Sequence, residues 1–534
     1  MFSLCIATVD RYDTFLKKSL EQYIQFPLID EIVISDENGK DAAKIQKEFI
    51  DTGKTDKIKV LVNDKRLGPF MNKLKAMKEA KNGAKNGAKN NWIAIIDSDN
   101  FAPSGYFNGA KAFIESNGLQ KGLLMPSFAK PRFSYKAIVG KVELTGDAKR
   151  YEMCFNTGNY ILSKDLLALD LSKEEALVSH SDSCDVILFN TLLIEQYEPD
   201  IYVVEGMEYD HVVHKNSAYL EHCKKEKDYN LQVSNRFKSL FWNLIPSNLF
   251  YVGNKDTYPP FKKGRYLEEY FLERCKQNPR FSKGRKYIPA LWTNFQIEAW
   301  FPRRKKEMQQ ILNKWVASNP SRHGYFAVVQ YDDACLLQLP PDTKVFGACS
   351  GDEPIPLIYE DTDQTLEKIP RKSFAEKEIL CSFVGSMTSN QVQPNVRMEI
   401  KKKFEGNSKF HLKIGSWTNQ VQKGNQDSFI ETTVNSKFAL APRGYGRSSF
   451  RFFEVLQLGT IPVYVWNDVN WLPFQDKIKY TKFCVVAHVS QLDALEFKLD
   501  SITETKYQEM LGEYEKIKHF FTLEGMYEEI LHRI

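Results

Sequence analysis

Through the first part of the chain, up to about residue 235, short apolar runs alternate with segments whose apolar residues return every three or four positions. The runs Ser3–Thr8, Glu31–Ser35, Lys57–Val62 and Trp92–Ile96 predict strands, because they are short, rich in β-branched residues and bounded by polar turns. Between them Phe15–Tyr23, Ala42–Phe49 and Met71–Ala80 predict helices. That alternation predicts an α/β domain. Beyond the polar stretch Lys224–Asn235 the apolar runs return as YIPALWTNF (287–295), YFAVVQYDD (325–333) and ILCSFVGS (379–386), the last preceded by a polar linker at Asp361–Lys372. The expected domains are therefore 1–235, 236–370 and 371–534.

Length agrees with several cores, since 534 residues exceed what one hydrophobic core holds. Charge excludes a class of partner: 73 Lys plus Arg stand against 68 Asp plus Glu, a net +5, so nucleic acid is not expected. The 9 cysteines are scattered and odd in number, with no CxxC pair, which argues against a disulfide framework or a structural zinc site. The opening MFSLCIATVDRYDTF has no basic segment leading into a long apolar run and reads as a first strand, so no secretory signal is expected. No apolar run is long enough for a membrane span. The expected location is a reducing cytoplasm, of a microbial cell or a virus-infected host cell. The repeat KNGAKNGAKN (81–90) reads as a solvated turn without chemistry.

Candidate chemistry is densest in SKFALAPRGYGRSSFRFFEVLQLGTIPVYVW (436–466). Arg443, Gly444, Gly446 and Arg447 combine positive charge with close backbone approach. Ser448 or Ser449 can cap a helix whose free N–H groups attract phosphate. Arg451 and Glu454, three residues apart, share a helix face; Gly459 closes the helix and Ile461–Val465 follows as a strand. This ordered pattern resembles the C-terminal half of exostosin-type glycosyltransferases, and the resemblance extends over about 240–534. It implies a GT-B unit of two Rossmann-like lobes that uses a nucleotide sugar, with Arg443 and Arg451 facing the donor diphosphate and Glu454 holding the ribose hydroxyls. Such units work without a metal, arginines and a helix N-terminus replacing it. The acceptor base is left open among Asp332, Asp333, Glu268 and Glu269. Trp292, Phe295, Trp300 and Tyr331 are available to stack on sugars, although core packing is the default for each.

A second, independent constellation begins where Trp92–Ile96 runs into Asp97-Ser98-Asp99. Residues i and i+2 of an extended segment share a face, so both carboxylates can converge on one Mn²⁺ or Mg²⁺. With first and second strands ending IATVDR and ISDENG, the order resembles nucleotide-sugar glycosyltransferases of the GT-A fold. The resemblance implies that Thr8, Asp10 and Asp36 lie near the base and ribose, and that Asn63, Arg66, Gly68, Lys73 and Ser98 border the donor. It also implies an acceptor base near SHSDSCDVIL (180–189), Asp182 before Asp185, although an aspartate there can simply cap a helix. His214 or His211 would complete the metal shell, with Lys215 near a phosphate.

The combined expectation is a bifunctional glycosyltransferase that transfers two sugars, from UDP-sugar donors, to a glycan acceptor. Two rivals stay open: one unit catalytic and the other positioning the acceptor, or an N-terminal sugar nucleotidyltransferase. The second is disfavoured because TVDRYDTF lacks the glycine-rich loop that such enzymes carry after their first strand. A non-enzymatic glycan-binding module would leave two diphosphate-type sites unexplained.

Overall fold

The computed structural model describes residues 2–82, 91–145, 148–214, 225–253, 264–279, 284–362, 366–387, 392–416 and 423–534. The chain divides into two compact units, Met1–Asn243 with Pro279–Lys283 and Ser318–Arg322, and the remainder. The KNG repeat from residue 83 onward and Lys215 lie outside the described residues.

In the first unit, strands β1 (Phe2–Thr8), β2 (Ile29–Asp36), β3 (Ile58–Val62) and β4 (Trp92–Ile95) form a parallel block in the order β3-β2-β1-β4. β5 (Leu123–Lys130), β6 (Phe133–Ser134), β7 (Gly140–Lys141), β8 (Tyr160–Ser163) and β9 (Ile201–Asp210) extend the sheet. Here β8 enters antiparallel between β4 and β5, so the sheet is mixed. The predicted strands thus form, within one or two residues at each end. Val33, Ile34, Ile93 and Ile95 are almost fully buried, at about 1.5–3 kcal/mol of transfer free energy per large apolar side chain.

The helix predicted from Met71 begins earlier, at Gly68, and runs to Asn82. A distant carboxylate is the reason: Glu37, just past β2, accepts the N–H groups of Leu67 (2.8 Å) and Gly68 (2.7 Å). Free amides at a helix start are thereby satisfied from outside the segment, which no local pattern reveals. The polar stretch Lys224–Asn235 also differs from the expected boundary. Lys227–Ser239 is a helix that buries Val233 and Phe237, and the first unit continues to Asn243. Its Arg236 joins Arg322 around the carboxylates of Glu174 and Glu195.

The second unit has two parallel sheets. The first is β10 (Lys286–Tyr287), β11 (Tyr325–Val329), β12 (Thr343–Gly347) and β13 (Glu353–Pro354), in chain order. The second comprises β14 (Ile379–Ser386), β15 (Phe410–Gly415), β16 (Ser436–Pro442), β17 (Ile461–Trp466) and β18 (Val485–His488), in the order β15-β14-β16-β17-β18. The helix Leu523–Arg533 packs against the first sheet's helix Leu267–Gln277, with Tyr527 on Phe271 and Arg274 on Glu524 at 2.8 Å. Its Arg533 reaches Glu353 at 3.1 Å.

The described cysteines are all free. No described helix is long and apolar enough to cross a membrane.

Candidate functional sites

In the first unit the order β3-β2-β1-β4 reverses direction between β1 and β4, the place where open α/β sheets leave a crevice beyond their strand ends. Asp97 follows β4 there, and its backbone N–H donates to Asn159 at 2.8 Å. Gly158 makes room for it: a Cβ at that position would lie 2.0 Å from the Asp97 carboxylate, on a backbone at φ +33°. Lys73, from the helix Gly68–Asn82, bridges Asp97 (2.9 Å) and Asp185 (2.7 Å). Burial, with Asp99 and Asp185 adding to it, pushes the Asp97 carboxyl up to about 6 against the pull of Lys73. The same pair of carboxylates holds Lys73 firmly protonated despite burial.

Asp99 meets His214 Nε2 at 2.8 Å, and that ring rests on Phe15. His211 is turned elsewhere, its Nδ1 3.4 Å from the Tyr209 hydroxyl and its ring on Phe133, and burial lowers its pKa. Asp182 pairs with Arg66 at 2.7 Å and lies beside Gly68. Asp185 opens the helix Asp185–Tyr197, but Cys184 is its N-cap and the Asp185 carboxylate faces Lys73, so neither aspartate is a plain cap.

Three of the expected base and ribose contacts have other partners. The Thr8 hydroxyl donates to Asp41 at 2.5 Å, and Asp41 also accepts the N–H groups of Arg11 and Tyr12. Asp36 is buried and accepts the N–H groups of Ala42 (2.8 Å) and Asn38 (3.3 Å). Asp10, at φ 52°, is exposed beside Lys40. Ser98 is buried between the two aspartates, while Asn63 is tied to Asn72 and Glu37.

Among the described residues no three His, Cys, Asp or Glu side chains are arranged to hold one metal ion. The donor set still suits a hard divalent cation: two carboxylates two positions apart and an imidazole, each now partnered within the site by Lys73 or by one another.

In the second unit, β16 ends in the arginine and glycine loop. Arg443 is buried; its guanidinium donates to Asn467 (3.0 Å), to Asp468 and to the Tyr445 carbonyl (3.1 Å). Arg447 donates to the same Asp468 at 3.0 Å and lies over Trp471. Ser449 caps the helix Phe450–Gln457, its hydroxyl accepting the Arg451 N–H, and Gly459 at φ +69° follows the helix end. Arg451 bonds Glu454 at 3.1 Å and stacks on Phe429. Glu454 is buried, raised by that burial, and accepts the Tyr359 hydroxyl at 3.1 Å.

Asp332, just past β11, comes to this loop. A Cβ on Gly446 would lie 2.2 Å from its carboxylate and 2.5 Å from the Cys349 sulfur, so only glycine fits. Burial raises the Asp332 pKa, with Asp333 adding to the rise. The other base candidates are placed differently. Glu269 forms a capping box with Tyr266, and Glu268 is fully buried, accepting from Thr293 Oγ1 (2.6 Å) and Gln330 N (2.6 Å). Burial pushes Glu268 up to about 7. Trp292 and Phe295 are core residues. The residues missed by pattern reading are Arg397, which donates to the Arg443 carbonyl, and Gly158 and Asp41 in the first unit.

Both sites lie at the ends of parallel strands, one lined by aspartates and the other by arginines, and the chain joins two glycosyltransferase domains of different families. Residues 3–143 match the model of Glycosyl transferase family 2, and residues 343–502 that of the Exostosin GT47 domain. The fold is accordingly GT-A followed by a GT-B-like region. Relatives include a probable glycosyltransferase of Arabidopsis thaliana, 30% identical over 113 residues (20% of this chain, 22% of that protein). A probable glucuronosyltransferase of Oryza sativa subsp. japonica is 28% identical over 148 residues (26% and 32%). Exostosin-1 of Drosophila melanogaster is 36% identical over 135 residues (21% and 16%). The chain thus spans at most 32% of the length of these relatives. Among solved structures, S. aureus TarS 1-349 in complex with UDP aligns at a TM-score of 0.31 and 15% identity, covering 44% of this chain and 64% of that one, a distant likeness.

Proposed function

We propose that the chain transfers two sugars from nucleotide-sugar donors, UDP-sugars in the first instance, to a glycan acceptor, one at each site. The observation that carries this reading is the pairing of opposite charge designs, aspartates in the first unit and arginines in the second, each at strand ends within a glycosyltransferase domain. In the first unit Asp97, Asp99 and His214 would hold Mn²⁺ or Mg²⁺. When bound, such a cation offsets the charge that builds on a departing diphosphate. Lys73 keeps Asp97 and Asp185 at a fixed separation, while Gly158 leaves the Asp97 carboxylate room. Asp182 is the proposed acceptor base, with Asp185 second. Its partner Arg66 is on a largely exposed side chain that can leave when an acceptor hydroxyl arrives.

In the second unit the arginine loop and the N-terminus of helix Phe450–Gln457 face the leaving diphosphate, and Glu454, fixed by Tyr359, takes the ribose. Asp332 is the proposed base, since its carboxylate abuts Gly446 at the floor of the glycine loop, whereas Asp333 reaches the loop only by accepting the hydroxyl of the exposed Tyr445 at 3.3 Å. The free thiols suit the reducing cytoplasm in which we place the reaction.

The test is paired mutagenesis of the full chain, assayed against a panel of nucleotide sugars. Asp97→Ala/Asp99→Ala and Arg443→Ala/Glu454→Ala should each remove a different transfer. If either pair leaves every sugar transfer intact, that unit is not catalytic and the two-site reading fails.

A further inference from the structure

The arginines of the second-unit motif are not free cations. Arg443 and Arg447 share the carboxylate of Asp468, and Arg451 is paired with Glu454. The guanidinium beside them without such a partner belongs to a residue outside the motif, Arg397. No carboxylate among the described residues forms an ion pair with it. Its Nε donates to the Arg443 carbonyl at 3.2 Å and its Nη1 to the Ser386 carbonyl at 2.7 Å and the Ser386 hydroxyl at 3.4 Å, so three neutral oxygens hold the planar group in place. Its remaining edge is turned to the glycine loop: a Cβ on Gly444 would lie 2.7 Å from Nη2. Gly444 therefore leaves space for a cation, besides any freedom it gives its own backbone.

The position is also electrostatically unfavourable for an arginine on its own. Arg397 is the second residue of the helix Val396–Phe404, whose N-cap is Asn395. A helix start carries partial positive charge and prefers anions, so a fixed cation there adds to the repulsion. Burial, with Arg451 acting in the same sense and the carboxylate of Asp332 opposing it without an ion pair, brings the guanidinium down to about 10, still protonated near neutral pH. A cation held by neutral acceptors at a helix start, facing a glycine loop and within electrostatic reach of Arg451 in the first turn of helix Phe450–Gln457, has the chemistry of an anion receptor.

We infer that Arg397 is the principal diphosphate-binding residue of the second unit, and that Arg443 chiefly shapes the loop through Asp468. This rests on the donor-site reading above. The ligand class is a nucleoside diphosphate, bound through its phosphate oxygens to the edge of Arg397 that faces the glycine loop.

The experiment is calorimetric titration of the full chain carrying Asp97→Ala/Asp99→Ala, in EDTA, with UDP, GDP, ADP and CDP and with the corresponding nucleosides. Arg397→Ala should weaken the best-bound diphosphate at least about tenfold and leave its nucleoside unchanged. Arg397→Lys, which keeps the charge and the packing of the stem, should weaken the diphosphate less and guards against a folding defect. Asp468→Asn should change diphosphate affinity less than Arg397→Ala does. The inference is overturned if Arg397→Ala leaves diphosphate binding intact, or if nucleoside and diphosphate weaken equally, which marks a structural role. Absence of binding by every nucleoside diphosphate in the parent would remove the donor-site reading and this inference together.

Discussion

The two sites solve one electrostatic problem with opposite charge balances. At the first, Asp97, Asp99, Asp182 and Asp185 face Lys73, Arg66 and a histidine, so carboxylates outnumber fixed cations. At the second, Arg397, Arg443, Arg447 and Arg451 stand against Asp468 and Glu454, with Asp332 nearby and raised in pKa by burial. On the function proposed above, an incoming diphosphate would be repelled by the first site unless a cation came with it, and would be attracted by the second unaided. Strand-end geometry is common to both sites, so the difference lies in the side chains grafted on it.

The strongest way to break this contrast is to remove divalent metal. Chelation of the full chain should lower the first transfer by more than about a thousandfold and leave the second unchanged; equal loss of both, measured with separate donors, would mean that the charge balance does not decide metal use. Gly446→Ala comes next. Its methyl would press on Asp332 and Cys349, and a misplacement of this size should lower kcat/KM of the second transfer about a hundredfold with the first untouched. A milder effect is expected from pH. Burial raises the Asp332 pKa, so the acid limb of the second transfer should lie higher than an exposed aspartate would put it. Replacing Asp332 by Asn should abolish that limb along with most of the rate; a retained limb would point to another base.

Glu268, whose carboxylate is taken up by Thr293 and Gln330, sharpens the comparison because its replacement should change stability and not rate. Its folded pKa of about 7 exceeds the ordinary 4.5, so its contribution to stability is fully present below 4.5 and is lost as pH rises through 7. Thermal melts of Glu268→Gln should show a flatter pH dependence over that window, by about 3 kcal/mol at most. An unchanged slope would place the carboxylate's proton elsewhere.

The local features were legible in the sequence because their causes are local. Strands such as Trp92–Ile95 and Ile379–Ser386, the Ser449 cap and the Gly459 stop follow from short-range pattern and from the φ that a glycine alone tolerates. The nomination of Asp97, Asp99 and His214 drew on the resemblance as well, and the structure brings Asp99 and His214 into contact. Residues whose roles depend on distant packing were not legible. Glu37 starts a helix thirty residues away, Thr8 faces Asp41 rather than open space, and Gly158 matters only because β8 enters beside β4. Arg397 carries no distinguishing mark in the sequence, standing in a helix that also holds Lys401, Lys402 and Lys403. Only the approach of Gly444 and the pairing of the other arginines set it apart.

The Lys73 bridge has a consequence for how the first unit matures. An ammonium group from the chain itself already sits between Asp97 and Asp185, and Asp99 already has His214. The polypeptide can therefore supply each of these three carboxylates with a partner, although the negative charge is not fully offset. On the function proposed above, a cation recruited there would exchange partners at a finished surface, reversibly and without dismantling the sheet beneath it.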